Sequence, residues 1–360
     1  MYTNSITSGA STPESFTTNR PDIRTASDAE LESLLSNLKQ PKFRLKQIKE
    51  WIWKPEVASF EDMSNLPKAL REALSQAYSF ISVHEKARQY SIDGTRKYLV
   101  EMNDGVCAEC VGMPSLNGRL SVCVSTQAGC AMGCAFCATG AAGLTRSLSA
   151  LEIYDQVAFV EHDFGQQVTS VVLMGQGEPF MNYDASLEAL RMMNDPSKLG
   201  IGARHLTVST CGVIPMIHRF ANEPEQFTLA VSLHSANQQT RNLLMPGVKK
   251  YSLIHLYDAL REYTEKTGRR PSYEYVLIKG INDTTSQLND LIAFCRSTLC
   301  HVNLIMLNDI AGSPFQPVEM ARALEFKNAL EAVGVETTIR ESRGADIDAA
   351  CGQLSQKHRS

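Results

Sequence analysis

The sequence predicts an α/β protein: a partial (βα)6 barrel of TIM type, preceded by a helical accessory domain and a small β-hairpin extension. Three observations carry this reading. Short apolar strand-like runs alternate with amphipathic helical stretches from residue 120 to 333. Glycine and polar residues recur at the carboxyl ends of successive runs, where a barrel gathers them around one mouth. An open doubly wound sheet would gather only those beside one switch point. Ahead of the alternation, prolines punctuate a wholly helical pattern.

The elements follow in order. Residues 1–25 are rich in Ser, Thr and Asn and read as a disordered tail. Residues 26–85 form the accessory domain, with periodic apolar positions over 28–38, 44–53 and 68–80, punctuated by Pro41, Pro55 and Pro67. Residues 86–360 form the second, larger domain. It opens with strands at 87–90 and 97–101, and an Asn103-Asp104-Gly105 turn returns the chain into 106–113. Strands are then expected at 120–125, 170–174, 205–210, 228–233, 273–277 and 302–307. Helices alternate with them at 151–162, 187–193, 253–264, 286–295 and 318–333, and a last strand spans 335–340.

With 360 residues, 43% apolar and 21% charged, the chain has the balance of a soluble protein. No apolar run reaches membrane-spanning length, and the N-terminus lacks a secretory pattern. Ten cysteines without a secretory signal point to a reducing cytoplasm. The net charge of −4 does not advertise a nucleic-acid partner. A local stripe does, at Lys42, Lys46 and Lys49, opposite Leu45, Ile48 and Ile52. A solvated helix face has the same pattern, so both readings stand.

The most informative run is Cys130, Cys134 and Cys137, spaced C-x3-C-x2-C. Three thiolates leave one iron of a [4Fe–4S] cube open to a small molecule. A structural zinc knot takes four ligands, usually as paired C-x2-C units. Cys107 and Cys110 upstream form one such pair, and none follows within a zinc-ribbon distance. In the expected fold the cysteine run follows the first barrel strand and Gly175-Gln176-Gly177-Glu178-Pro179 the second. Ser209 ends the third, His234 the fourth and Asn308 the sixth.

From about residue 41 to 354 the chain resembles the RlmN/Cfr family of radical-SAM RNA adenine methyltransferases. The resemblance lies in 41–53, 123–143, 175–179, 232–234, 303–308 and, most specifically, Arg343 to Leu354, Arg-Gly-Ala-Asp-Ile-Asp-Ala-Ala-Cys-Gly-Gln-Leu. It implies a [4Fe–4S] cluster on Cys130, Cys134 and Cys137, with S-adenosylmethionine (SAM) on the open iron. Gly177 and Glu178 would meet the methionine end of SAM, and Ser209, Ser232, Leu233, His234 and Asn308 also match SAM-binding positions. Gln176 stands where the family often has Met.

The resemblance makes Cys351 the methyl carrier, Cys123 the partner that releases product through a transient disulfide, and Glu109 the base. On residues alone Cys123 reads as a buried strand position, His234 as structural, Cys351 as ambiguous, and Glu101 as a rival to Glu109. The Glu109-to-Cys123 connection is one residue longer than the common form. Cys107, Cys110, Cys211, Cys295 and Cys300 match no role, and Cys110 is a neighbouring thiol able to disturb redox tests. The implied activity is methylation of adenine carbon-2 in 23S rRNA at the peptidyl-transferase centre, with tRNA next to the anticodon as a further target. The partners are these RNAs and an electron donor such as flavodoxin or ferredoxin, with no membrane. Two alternatives are carbon-8 methylation of the same adenine, and a non-catalytic, zinc-stabilised RNA-binding protein.

Overall fold

The computed structural model describes residues 20–54, 57, 59–80, 83–308, 313–340, 342–349 and 353. Three helices come first: α1 (Asp28–Asn37), α2 (Arg44–Trp51) and α3 (Lys68–Ala77). Ser27 starts α1 with a capping box, accepting from the Glu30 N–H while the Glu30 carboxylate accepts from the Ser27 N–H. Their apolar faces close on a core of their own around Leu31, Leu35, Ile48, Leu70 and Leu74. The chain joins this core earlier than the expected tail boundary: Ile23 is fully buried in it. α3 also stops short of residue 80, because Tyr78 turns extended and Ser79 pairs through its backbone with Pro21 and Ile23.

The rest of the chain is built from β1 (Val83–Tyr90), β2 (Arg96–Met102), β3 (Cys107–Pro114), β4 (Leu120–Cys123), β5 (Gln127–Gly129), α4 (Ala138–Ala142), β6 (Leu144–Ser147) and α5 (Ala150–Phe164). There follow β7 (Ser170–Leu173), α6 (Tyr183–Asn194), β8 (Leu206–Thr210), α7 (Ile214–Phe220), β9 (Thr228–Ser232), α8 (Gln238–Leu244) and α9 (Leu253–Thr267). The last elements are β10 (Ser272–Leu277), α10 (Thr285–Cys295), β11 (His301–Met306), α11 (Met320–Ala332) and β12 (Glu336–Arg340). One ten-stranded sheet runs β1-β2-β3-β4-β7-β8-β9-β10-β11-β12, and β5 and β6 pair separately. Pairing is antiparallel from β1 to β4 and parallel from β4 onward. The expected barrel strands all form. Sequence periodicity misses β5, β6, α7 and α8, whose three to seven residues are too short to show a period.

Strand parity organises everything that follows. Directly paired residues on neighbouring strands point to the same face. Register pairs Leu99 with Glu109, Lys97 with Val111, Val111 with Cys123 and Cys123 with Val172. Farther along it pairs Ser209 with Ala230, Ser232 with Glu274, Glu274 with Asn303 and Asn303 with Thr338. Lys97, Glu109, Cys123, Ser209, Ser232 and Glu274 therefore share one face. The opposite face supplies Tyr98, Val122, Val171 and Val208 to the main core. The one-residue length difference between Glu109 and Cys123 leaves the β3–β4 register unbroken, so the turn at 115–119 is where it can be absorbed.

Two junctions tie the parts together. After β12, the 342–349 segment reaches the β1–β2 turn: Gly344 N–H donates to the Asp93 carboxylate at 3.1 Å, and Ser91 Oγ to Asp346 at 2.6 Å. Between the helical unit and α5, buried Arg24 pairs with Asp155 through both carboxylate oxygens, and also with Asp22. Trp53 meets Tyr154 edge-on beside it, at 5.7 Å. Burial works against the Arg24 charge, but the two carboxylates hold its pKa above the ordinary value. Truncating one partner of a buried pair leaves the other charge uncompensated. Arg24→Met should cost about 3 kcal/mol in urea unfolding. Adding Asp155→Leu should recover most of that loss, and additive losses in the double variant would contradict the pairing.

Candidate active site

A cavity opens at the carboxyl ends of the parallel strands, with about 920 Å³ of space including its solvent-open mouth. Residues at or just after β7, β8, β9, β10, β11 and β12 line it, including Met174, Ser209, Ser232, Val276, Ile305 and Arg340. Convergence of six strand ends on one cavity is the barrel arrangement, and the open-sheet alternative falls.

Cys130, Cys134 and Cys137 all line this cavity. The β5–β6 pair brackets their loop, and Cys130 N–H donates to the Gly143 carbonyl at 2.9 Å. Below, Gly247 donates to the Met132 carbonyl at 3.0 Å, and a Cβ there would stand 2.6 Å from that oxygen. Among the described residues no three His, Cys, Asp or Glu side chains already converge at metal-holding distance. The donor set fits a cluster on electrostatic grounds. Arg241 is 3% exposed, and among the described residues its guanidinium donates to the Leu233 and Cys211 carbonyls and Met245 Sδ. Burial pulls it down to about 10, while the thiolate charges of Cys211 and Cys134 act to raise it. A buried guanidinium next to Cys134 calls for an anionic group in the cavity. Burial also pushes the Cys130 thiol up to about 12, so any metal it takes displaces its proton.

Gly177 lies at φ +103, and a Cβ there would come within 2.6 Å of Gln127 Cβ, so the tight approach requires glycine. Glu178 is buried, accepting from Cys211 N–H at 2.6 Å and Phe180 N–H at 2.9 Å. Burial outweighs these donors and raises its pKa. His234 Nδ1 accepts from Val276 N–H at 3.0 Å, and burial lowers its pKa to about 3. It is therefore a neutral imidazole whose other nitrogen carries the hydrogen. Ser209, Ser232 and Asn308 line the cavity; Leu233 does not, because its side chain belongs to the main core.

Glu109 and Cys123 do not line the cavity. They form a second group on the same sheet face. Cys123 packs with Val111, Met113, Ile347 and Ala349. Glu109 is 2% exposed and ion-paired to Lys97 at 3.0 Å. Cys351 lies outside the described residues; Ala349 and Gln353, either side of it, are buried. Cys110 faces the main core instead, where burial pushes its thiol well up, which makes it a poor competitor for redox chemistry. Glu101, the rival carboxylate, pairs with Lys86 at 2.7 Å near the surface. Sequence reasoning missed Lys97, Arg241 and Glu274, and gave no role to Cys211, whose Sγ is 4.0 Å from Cys134 Sγ. A charged residue inside an apolar strand run, as at Glu274, was the available signal.

A partial barrel with three clustered thiols at its mouth defines a radical SAM enzyme. The model of the Radical SAM superfamily matches residues 124–293, and that of the ribosomal RNA large subunit methyltransferase N-terminal domain matches residues 22–79. A probable dual-specificity RNA methyltransferase RlmN of Alkaliphilus oremlandii is 43% identical over 338 residues, covering 94% of this chain and 98% of that protein. Its counterpart in Geobacillus kaustophilus is 44% identical over 342 residues, covering 94% and 93%. The crystal structure of a radical SAM methyltransferase from Sphaerobacter thermophilus superposes with a TM-score of 0.87 at 41% identity, over 93% of this chain and 99% of that one. The chain belongs to the RlmN family of radical SAM RNA methyltransferases. It works on RNA with a [4Fe–4S] cluster and SAM, and the non-catalytic zinc reading is overturned. No helix among the described residues is long and apolar enough to cross a membrane.

Gly177→Ala tests the loop geometry. We expect a loss of about 2 kcal/mol or more in stability from the positive φ and the clash, with weakened SAM binding by calorimetry. Unchanged values for both would show that the loop tolerates a side chain.

Proposed function

We propose that the chain methylates carbon-2 of adenine in 23S rRNA at the peptidyl-transferase centre and in tRNA beside the anticodon, through a methylated Cys351. The observation that carries this reading is the second group. Glu109 and Cys123 share a face with the packed tail, and Ala349 stands two residues before Cys351. Two residues of chain reach at most about 7 Å. The relatives named above are described as dual-specificity RNA methyltransferases, which favours two RNA targets.

The chemistry explains the residue set. Carbon-2 lies between two ring nitrogens and is too electron-poor to attack a methyl group as a nucleophile. Cys130, Cys134 and Cys137 would hold the cluster, which would supply the single electron for radical chemistry with SAM. Gly177 and Glu178 receive the amino end of SAM, with Ser209, Ser232, His234 and Asn308 around the remainder and Leu233 fixing the backbone between two of them. Cys351 carries the methyl as a thioether. Glu109 takes the proton from the substituted ring carbon. Cys123 then forms a disulfide with Cys351 as the Cys351 sulfur–carbon bond breaks. The released carbon takes a proton to complete the methyl group, and SAM is the net oxidant.

Residues 26–85 serve as the RNA-binding domain, in the reducing cytoplasm, with a flavodoxin or ferredoxin as electron donor. The basic stripe on α2 is partly neutralised, since Lys49 pairs with Asp28 at 2.8 Å and Lys46 with Glu50 at 3.8 Å. Shape and the exposed Lys42 therefore carry more of the RNA contact than net charge does.

Cys123→Ala should leave Cys351 methylation intact and accumulate a covalent RNA–protein species on gels. Freely released methylated RNA at the normal rate would remove Cys123 from the mechanism. In a second experiment, protein-free 23S rRNA and tRNA are methylated and the nucleosides compared with standards by mass spectrometry. Methylation at carbon-2 is expected in both; a carbon-8 product would overturn the position, and unmodified tRNA would overturn the second target.

A further inference from the structure

We propose that Lys97 is a positioning residue of the methyl-transfer reaction, keeping the Glu109 carboxylate ionised and aimed at the inner face. The inference rests on the reading of Glu109 as the base, and adds the group that makes that base usable. Lys97 sits on β2 and Glu109 on β3, one strand apart on the same face, with Nζ 3.0 Å from Oε1. Both are buried, at 6% and 2% exposure. The ammonium also donates to the Asp348 carbonyl at 3.3 Å, so the tail leading to Cys351 holds it from the other side. Asp348 adopts φ +51, and its segment is gripped by the β1–β2 turn through Asp93 and Ser91.

The physical need is plain. A base that removes a proton from carbon must be ionised when the adduct forms. Burial alone favours the neutral acid, and a cation at hydrogen-bond distance reverses that preference. Around Glu109, the tail segment 342–349 brings Asp348, whose carbonyl meets Lys97. Lys97 comes from β2 and the Cys123 thiol from β4, while Cys110 on β3 itself faces the core. Ser125 Oγ donates to the Glu109 backbone carbonyl at 2.5 Å and so fixes the strand beside the carboxylate. Arg340 on β12 shares that face but lines the SAM cavity and pairs with Glu274 at 3.7 Å, so Lys97 is the cation that meets Glu109, at 3.0 Å.

The test uses reconstituted holoenzyme, with Lys97→Met, Lys97→Gln, Lys97→Arg and Glu109→Gln assayed in single turnover across pH 6 to 9.5. Iron content, SAM affinity and Cys351 methylation are measured alongside. We expect Lys97→Met and Lys97→Gln to load iron and methylate Cys351 normally, yet to resolve the RNA adduct at least tenfold more slowly near pH 7. Resolution should recover as pH rises, because without the ammonium the carboxyl group ionises at higher pH. Lys97→Arg keeps the charge and should keep the wild-type acid limb. An unshifted acid limb in the neutral variants overturns the role of Lys97. So does a uniform loss without recovery at high pH, or a loss of iron that Lys97→Arg shares, since each marks a merely structural residue. Glu109→Gln separates the two ideas. If it resolves adduct normally, the base assignment itself fails; if it stalls while Lys97→Met is normal, only the Lys97 proposal fails.

Discussion

Strand register is the constraint on which the rest of this structure depends. Side chains alternate along each strand, so a single slipped residue at any of the sheet's nine junctions would send half of the site into the outer core. The register holds through the change from antiparallel to parallel pairing at β4. As a result Lys97 and Glu109, contributed by a hairpin extension, continue the inner face that carries Ser209, Ser232 and Glu274. Two groups of residues far apart in sequence thereby address one interior. The tail closes it, crossing from β12 to the turn between β1 and β2.

Three buried cations mark the places where this arrangement resists ordinary packing. Arg24 joins the helical unit to α5 and is satisfied by carboxylates within the chain. Lys97 is satisfied by Glu109 and by a carbonyl of the tail. Arg241 differs, because among the described residues its partners are carbonyls and a thioether while its charge acts on Cys134. Burying a cation without a nearby anion is costly. An iron–sulfur cluster ligated by thiolates supplies that negative charge, so the site's electrostatics and its ligand spacing agree.

The cysteines divide along the same lines. Those of the mouth loop line the cavity, and Cys123 sits on the inner face against the tail. Cys110, Cys295 and Cys300 are buried in the main core, and Cys300 Sγ donates weakly to the Cys295 carbonyl. Burial keeps the Cys110 thiol protonated, and the hydrogen bond with Cys300 together with burial does the same for Cys295. Cys211 falls between the classes, on the cavity wall beside Cys134 yet outside the C-x3-C-x2-C run.

The barrel was legible in the amino-acid chain because its strands and helices are long enough to display their periods. Its mouth was legible because Cys130, Cys134, Cys137 and Gly177 lie in contiguous motifs. The short β5–β6 pair was not, since three or four residues carry no periodicity, yet it frames the cysteine loop. Nor did local pattern reveal that Ile23 is core, because one apolar residue in a polar stretch becomes informative only when Ser79 pairs beside it. Local sequence by itself determined the chemistry on offer: the spacing of thiols, the glycine where a Cβ cannot fit, and the alternation that builds a barrel. Tertiary structure alone decided which charges meet. The pairing of Lys97 with Glu109 and the placement of Arg241 beside Cys211 depend on register and loop closure between distant segments, and no local pattern encodes them.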